Sequence, residues 1–418
     1  MKNAAAKKAV IGACIALFAN MGMNSVFTVF LPYFMATWNI TVANITQLTW
    51  AITVGCAVSF LCASFLMGLI MKALPPRAIF LLCAVLAVCY CGMYYTAPKP
   101  SMLVVGAVFG GLVLSLGTHA MGVAAITPYF GNFGAKLGIT IGAVLASASV
   151  GATVFSFAPY LTKLFGGNWR PVFLVIGAVV VLCDVIAFLL IPKTPKQEGA
   201  AAAADGGAEE TPGLTFGQSL ATPSFWLVAF GILCLTIMYQ GLCAYMPTYL
   251  SSFAEKAPSV AAASSSMQGV MQFVGIAFVL FGGALVNKIG VKGLILFASL
   301  PLAVGVLLYA FVFPSLTTVW FAVICSILCV SGAVILNICS TITPVLFGQK
   351  AMNRINGIYS GGIFWGAAAV QSLILGAIIG KKGFSGGFLA AAVIGLAGML
   401  MLFLALALNP MKKKGAQK

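Results

Sequence analysis

Apolar runs of about 20 residues recur from one end of this chain to the other. A run of that length crosses ~30 Å of hydrocarbon at 1.5 Å per residue. Inside hydrocarbon the backbone has no water to bond, so each run predicts a helix that satisfies its own N–H and C=O groups. Of the 418 residues, 62% are hydrophobic and only 7% are charged, against about 25% charged in a soluble domain. The chain therefore reads as an all-α polytopic membrane protein. Twelve spans are predicted, at 9–36, 46–71, 78–96, 101–129, 138–164, 171–192, 223–250, 260–286, 293–313, 317–346, 355–380 and 386–409. The opening stretch, with its basic start, is read as the first span, because its apolar run is too long for a cleaved signal core.

Connections between spans are short, with one exception. Residues 193–222 are rich in Ala, Gly and Pro and hold four of the six acidic residues. They are read as a linker between an N-terminal bundle, 1–192, and a C-terminal bundle, 223–418. Charge sets the orientation. With the N-terminus inside, sixteen of the 22 basic residues fall on inner segments, from Lys2, Lys7 and Lys8 to Lys412, Lys413, Lys414 and Lys418, and six on outer loops. That bias places both termini in the cytoplasm of a cell-membrane protein. The net charge of +16 is then a topology signal, and its scatter through loops argues against a nucleic-acid partner. All twelve cysteines lie within spans. None has zinc-site spacing, so they are read as small buried hydrophobes without disulfides.

The two bundles resemble each other. "FLPYF" in the first is matched by "YMPTY" in the second, which pairs Pro32 with Pro247. Gly68 pairs with Gly283 at the same offset along the chain, and Pro128 pairs with Pro344 at an offset one position longer. Three ordered matches at nearly one offset indicate a duplicated six-helix unit, an organisation that places a substrate between two halves.

On these features the chain resembles the major facilitator superfamily over essentially its whole length. The loop after the eighth span, "GALVNKIGVKG", follows that family's G-x-x-x-D-R/K-x-G-x-R/K pattern at Gly283, Lys288, Gly290 and Lys292, with Asn287 in place of the Asp. This is the expected gating loop. The copy after the second span keeps Gly68 and Arg77 but has Lys72 at the Asp position. "GNWRPVF", with Arg170 before the sixth span, is a further match. "TPSFWLVAF" and "WNITVANITQLTWAI" resemble monocarboxylate and oxalate/formate carriers. Those carriers hold anions with basic residues in the eighth and eleventh spans; here these spans offer Gln268, Gln272, Tyr359, Trp365 and Gln371 instead. The resemblance implies that the first, fourth, seventh and tenth spans line a central cavity, with the third, sixth, ninth and twelfth as supports.

Within the spans, His119 and Asp184 are the ionisable groups of interest, and a charge at that depth is costly enough to suggest a function. His119 is the only histidine. An imidazole exchanges a proton near neutrality, so His119 is read as a proton-coupling group or switchable substrate contact, or else as a neutral histidine bonded between helices. Asp184, on a span the resemblance makes peripheral, is read as a second coupling candidate or as a bond to a neighbouring helix. Asn20 and Asn24 share a helix face by their spacing of four, as do Gln268 and Gln272, and Asn337 and Thr341. With Tyr239, Gln240 and Trp365 they form the expected substrate contacts, or else glue between helices. Glycine steps such as "VFGGLVLSLG" read as close helix packing, and no Walker motif supports ATP-driven pumping.

The resulting expectation is a secondary active transporter, not an enzyme, that alternates access to a midplane site. A channel, a membrane enzyme and a receptor fit the duplicated halves and short loops less well. The expected cargo is a small organic monoanion such as a monocarboxylate, moved with a proton; the alternative is a neutral or amphipathic compound exported by proton antiport. No cofactor or metal is expected, and the protein is expected as a monomer in the lipid bilayer.

Overall fold

A computed structural model describes residues 2–117, 119–126, 129, 135–192, 213–348 and 350–411. Among these residues, nine helical stretches are long and apolar enough to cross a membrane. Breaks and shorter pieces complete the expected twelve spans. The first span is Lys2–Thr37 and the third Pro76–Thr96. The second joins Thr46–Leu61, a π-helical turn at Cys62–Leu66, and Met67–Ala73. The fourth is Pro100–Leu116 followed by His119–Ile126. The fifth is Ala135–Ser156, the sixth Arg170–Leu190 and the seventh Pro223–Ser251.

The eighth and ninth share Ser264–Leu307, divided at Gly290, where φ is 68°. The tenth is Val319–Cys329, a 3-10 turn at Val330–Val334, and Ile335–Phe347. The eleventh begins at Met352–Asn356, passes through a π-helical Gly357–Ile363 and continues into Phe364–Ala407, which Gly383, at φ 71°, divides into the eleventh and twelfth. Left-handed glycines let the chain reverse between consecutive spans without a connecting loop.

One expected span changes its helical form before its end. The fifth α-helix stops at Ser156 and continues as 3-10 turns over Ala158–Phe165, because Pro159 has no N–H to offer an α-helical bond. Pro32 and Pro247 sit inside their helices, as the expected spans have them, which packing against neighbours permits in a membrane. The linker expected at 193–222 lies outside the described residues as far as 212. Its last part is fastened to the C-terminal half. Gly213 bridges to Gly348, Leu214 N–H donates to Phe347 O at 2.8 Å, and Thr215 and Gln218 form a capping box for the short helix Phe216–Leu220.

The duplication reaches side-chain packing. At the end of the first half away from the termini, Phe34, Tyr94 and Phe173 pack with ring centroids 6.1, 6.1 and 4.9 Å apart. Trp38 and Trp169 flank them. Every one of these five has an aromatic counterpart at the repeat offset that relates Pro32 to Pro247: Phe34 answers to Tyr249, Trp38 to Phe253, Tyr94 to Tyr309, Trp169 to Phe384 and Phe173 to Phe388. Tyr249, Tyr309 and Phe388 form the second cluster, at 6.1, 5.2 and 6.5 Å. Such ring pairs prefer edge and tilted contacts at these distances, and they tie three spans together in each half.

The halves meet by the same symmetry. The second span packs on the eleventh and the eighth on the fifth, pairings that exchange under the duplication. The first and seventh, equivalent by the repeat, also touch.

Candidate functional site

A cavity of about 600 Å³ lies between the halves, within the range of small-molecule sites. Seven of the expected contacts line it: Asn24, Tyr239, Gln240, Gln268, Gln272, Asn337 and Trp365. Asn356 and Gln371 add two more amides, and Thr28, Ser149, Ser340 and Ser360 add hydroxyls. None of the described lining residues is charged. Of the seven amides only Asn24 comes from the N-terminal half. That half supplies instead Met21, Met23, Phe27, Tyr90 and Tyr94, so one wall is rich in amides and the other largely apolar and aromatic.

Tyr90 and Tyr94 were not legible as site residues, since the third span was expected to be peripheral. They reach the cavity past two glycines of the fourth span. A Cβ on Gly110 would lie 2.9 Å from the Tyr90 ring, and one on Gly106 2.7 Å from that of Tyr94. The spacing of four between the tyrosines and between the glycines was the available signal.

The amide pairs divide. Gln268 and Gln272 both line the cavity, as their shared face requires. Asn24 is exposed to it, but Asn20, one turn back, is 1% exposed and bonds Asp184 Oδ1 at 2.9 Å. The cavity boundary falls between them. Asn337 lines the cavity while donating to Val279 O at 3.1 Å; Thr341 is not a lining residue, and its hydroxyl bonds the Asn337 carbonyl. Asp184 is fully buried and is not a lining residue either.

His119 begins the resumed helix of the fourth span, after the first helix ends at Gly117; its side chain lies outside the described residues. The tenth span is interrupted at the equivalent place, where Gly332 is the repeat counterpart of Gly117. Both glycines permit close approach: a Cβ on Gly117 would stand 2.7 Å from Asn20, and Gly332 abuts the Tyr239 ring. In the expected gating loop, Gly290 makes the turn and Lys288 and Lys292 are exposed, while the side-chain positions of Gly283 and Asn287 lie outside the described residues.

Among the described residues, several hydrogen-bonded contacts join the halves on the side away from the termini. Gln268 Nε2 donates to Thr28 Oγ1 at 2.8 Å, Thr53 Oγ1 and Ser372 Oγ are 2.5 Å apart, and Tyr160 Oη lies 2.6 Å from Ser266 Oγ. On the termini side, the π-helical turns of the second and eleventh spans pack Phe60 and Ser64 beside Gly362.

Two pseudo-symmetric six-helix halves, a cavity between them with no charge among its described lining residues and a hydrogen-bonded closure on one side define a multi-pass membrane carrier. The Major Facilitator Superfamily sequence profile matches residues 13–371, and the chain belongs to that family. It is a transporter, not an enzyme. No curated protein matches it by sequence. Among solved structures, a variant of the nucleoside transporter NupG superposes with a TM-score of 0.74 at 14% identity, covering 96% of this chain and 99% of that one. A bacterial homologue of the human lysosomal transporter Spinster, inward-facing and occupied, gives 0.73 at 16%, covering 96% and 97%. Its unoccupied form gives 0.70 at 16%, covering 97% and 98%. At these identities the likeness is one of fold.

Proposed function

We infer that this transporter carries a small uncharged organic solute across the cell membrane by alternating access, with both termini cytoplasmic. The observation that carries the reading is the cavity wall. Seven amides and several hydroxyls offer both donors and acceptors, and no fixed charge stands among the described lining residues. A neutral solute with hydrogen-bonding edges and an apolar face matches both walls. The monocarboxylate expectation fits less well, because a desolvated anion would be held by amides and hydroxyls alone unless His119 carried a proton. Nucleosides, the cargo named for NupG, are uncharged solutes of the favoured kind. The inward-facing Spinster homologue supports reading the closed side here as the outer one.

Proton coupling is assigned to His119, at the break of a span the family places along the cavity. Asp184, fully buried and bonded by Asn20 rather than lining the cavity, is not assigned this role. A thermal-shift screen of the purified protein against neutral and anionic metabolites tests the cargo class. Hits must then accumulate in proteoliposomes when a pH gradient is imposed. Stabilisation confined to anions would overturn the neutral reading, and equal uptake with and without the gradient would remove the proton.

A further inference from the structure

The buried pair of Asn20 on the first span and Asp184 on the sixth presents an imbalance of hydrogen atoms. Asn20 Nδ2 donates to Asp184 Oδ1 at 2.9 Å and to Ala16 O of its own helix at 3.0 Å. Both amide hydrogens are thereby engaged. Asn20 Oδ1 and Asp184 Oδ2 have no hydrogen-bond partner, although the two residues are 1% and 0% exposed. Rotating the amide by half a turn would aim its oxygen at two other acceptors, so the assignment of its nitrogen is firm. Two orphaned oxygens, one on each member of a bonded pair, lack one hydrogen between them. The titratable groups within electrostatic reach of the carboxyl are thiols, Cys183 beside it and Cys83 on the third span, with Cys62 of the second span beyond Cys83. None is a cation.

The internal repeat supplies an independent observation. At the offset that relates Gly117 to Gly332, the counterparts of Asn20 and Asp184 are Leu235 and Met399. Leu235 is fully buried, and Gly398 packs against its backbone. The second half thus carries uncharged apolar residues at the two equivalent positions. At the first-half site, a Cβ on Gly117 would stand 2.7 Å from the Asn20 side chain, so glycine there leaves the amide room.

We propose that Asp184 carries a resident proton and closes a cyclic acid–amide pair with Asn20, forming a neutral clip between the first and sixth spans. Asp184 Oδ2–H donates to Asn20 Oδ1 while Asn20 Nδ2–H donates to Asp184 Oδ1, and both orphans are satisfied by one hydrogen. The clip sits one helical turn from Asn24 and fixes the rotation of the first span that presents Asn24 to the cavity. Asp184 is a positioning residue in this scheme and takes no part in proton movement.

The test uses the purified full-length protein and needs no substrate. Asp184→Asn keeps one donor and one acceptor in the ring, so its melting temperature should match wild type. Asn20→Leu and Asp184→Met should each lower it, and the double substitution, which installs the second half's own pair, should restore it. Infrared spectra with carbon-13-labelled aspartate should show a protonated-carboxyl C=O band at neutral pH that Asp184→Asn removes. The only other aspartate, Asp205, lies outside the spans, so the band has one source. An ionised-carboxylate spectrum for Asp184 would overturn the proposal, as would a double variant no more stable than the worse single. Should the single variants fail to fold, the wild-type spectrum and the double variant still decide it.

Discussion

Gln268 of the eighth span donates its amide hydrogen to Thr28 of the first at 2.8 Å, across the boundary between the two halves. Thr28 passes its own hydrogen to Ser25 O at 2.9 Å, so the link is anchored in the first helix. It lies where the cavity narrows toward the side opposite the termini. Its partners in the closure are the contacts between Thr53 and Ser372 and between Tyr160 and Ser266.

Breaking this closure should open the molecule on that side. An interhelical hydrogen bond in a membrane contributes about 0.6 kcal/mol, so Thr28→Val should shift the balance between open states by about threefold. Adding Thr53→Val and Tyr160→Phe should multiply the shift. Spin-label distances between the far ends of the fifth and eighth spans would report it, as a growing long-distance population. Distances that stay at their wild-type values in the triple variant would mean that apolar packing alone holds the closure.

Asn24, Gln272 and Asn337 reach the cavity from three spans and both halves. Each alanine substitution removes a hydrogen bond of about 0.5–1.5 kcal/mol, which corresponds to roughly two- to twelvefold in affinity for a solute found by screening. Asn337→Ala should also lower stability, because Asn337 holds Val279 O. Titration by thermal shift or calorimetry would measure all three, and unchanged affinity throughout would reduce these amides to packing elements.

His119→Gln keeps hydrogen-bonding capacity but cannot carry charge. In vesicles the variant should still exchange labelled for unlabelled solute, which needs no net proton movement. Accumulation driven by a pH gradient should be lost. In wild type, accumulation should weaken as the pH on the proton-loading side rises past neutrality and the imidazole is left neutral. Full accumulation by the Gln variant would remove His119 from coupling; loss of exchange as well would place it in binding or folding.

The proposed orientation rests on the basic residues, and cysteine labelling checks it. In a version free of native cysteines, Ala202→Cys should be shielded from an impermeant reagent in intact cells and react after permeabilisation. Labelling of intact cells would invert the topology and exchange the inner and outer sides assigned to the closure.

The spans and the duplication were legible in the sequence because each rests on local properties. Hydrophobicity is written residue by residue, and a repeat is a comparison of the chain with itself. Helical periodicity also foretold that Gln268 and Gln272 share a surface, and they do. It could not say where the cavity ends. Asn20 and Asn24 lie on one face, yet Gly117 and Asp184 cover the first while the second stays open. Tyr90 and Tyr94 enter the site only because Gly106 and Gly110 leave room for them. Asn20 meets Asp184 across 164 residues of chain. A side chain's partner in a bundle is set by which helices become neighbours and how each is rotated, and those depend on packing summed over the whole membrane domain. The sequence determined that this chain is a two-fold helical carrier; the tertiary structure alone decided which polar groups line its central cavity and which hold its helices together.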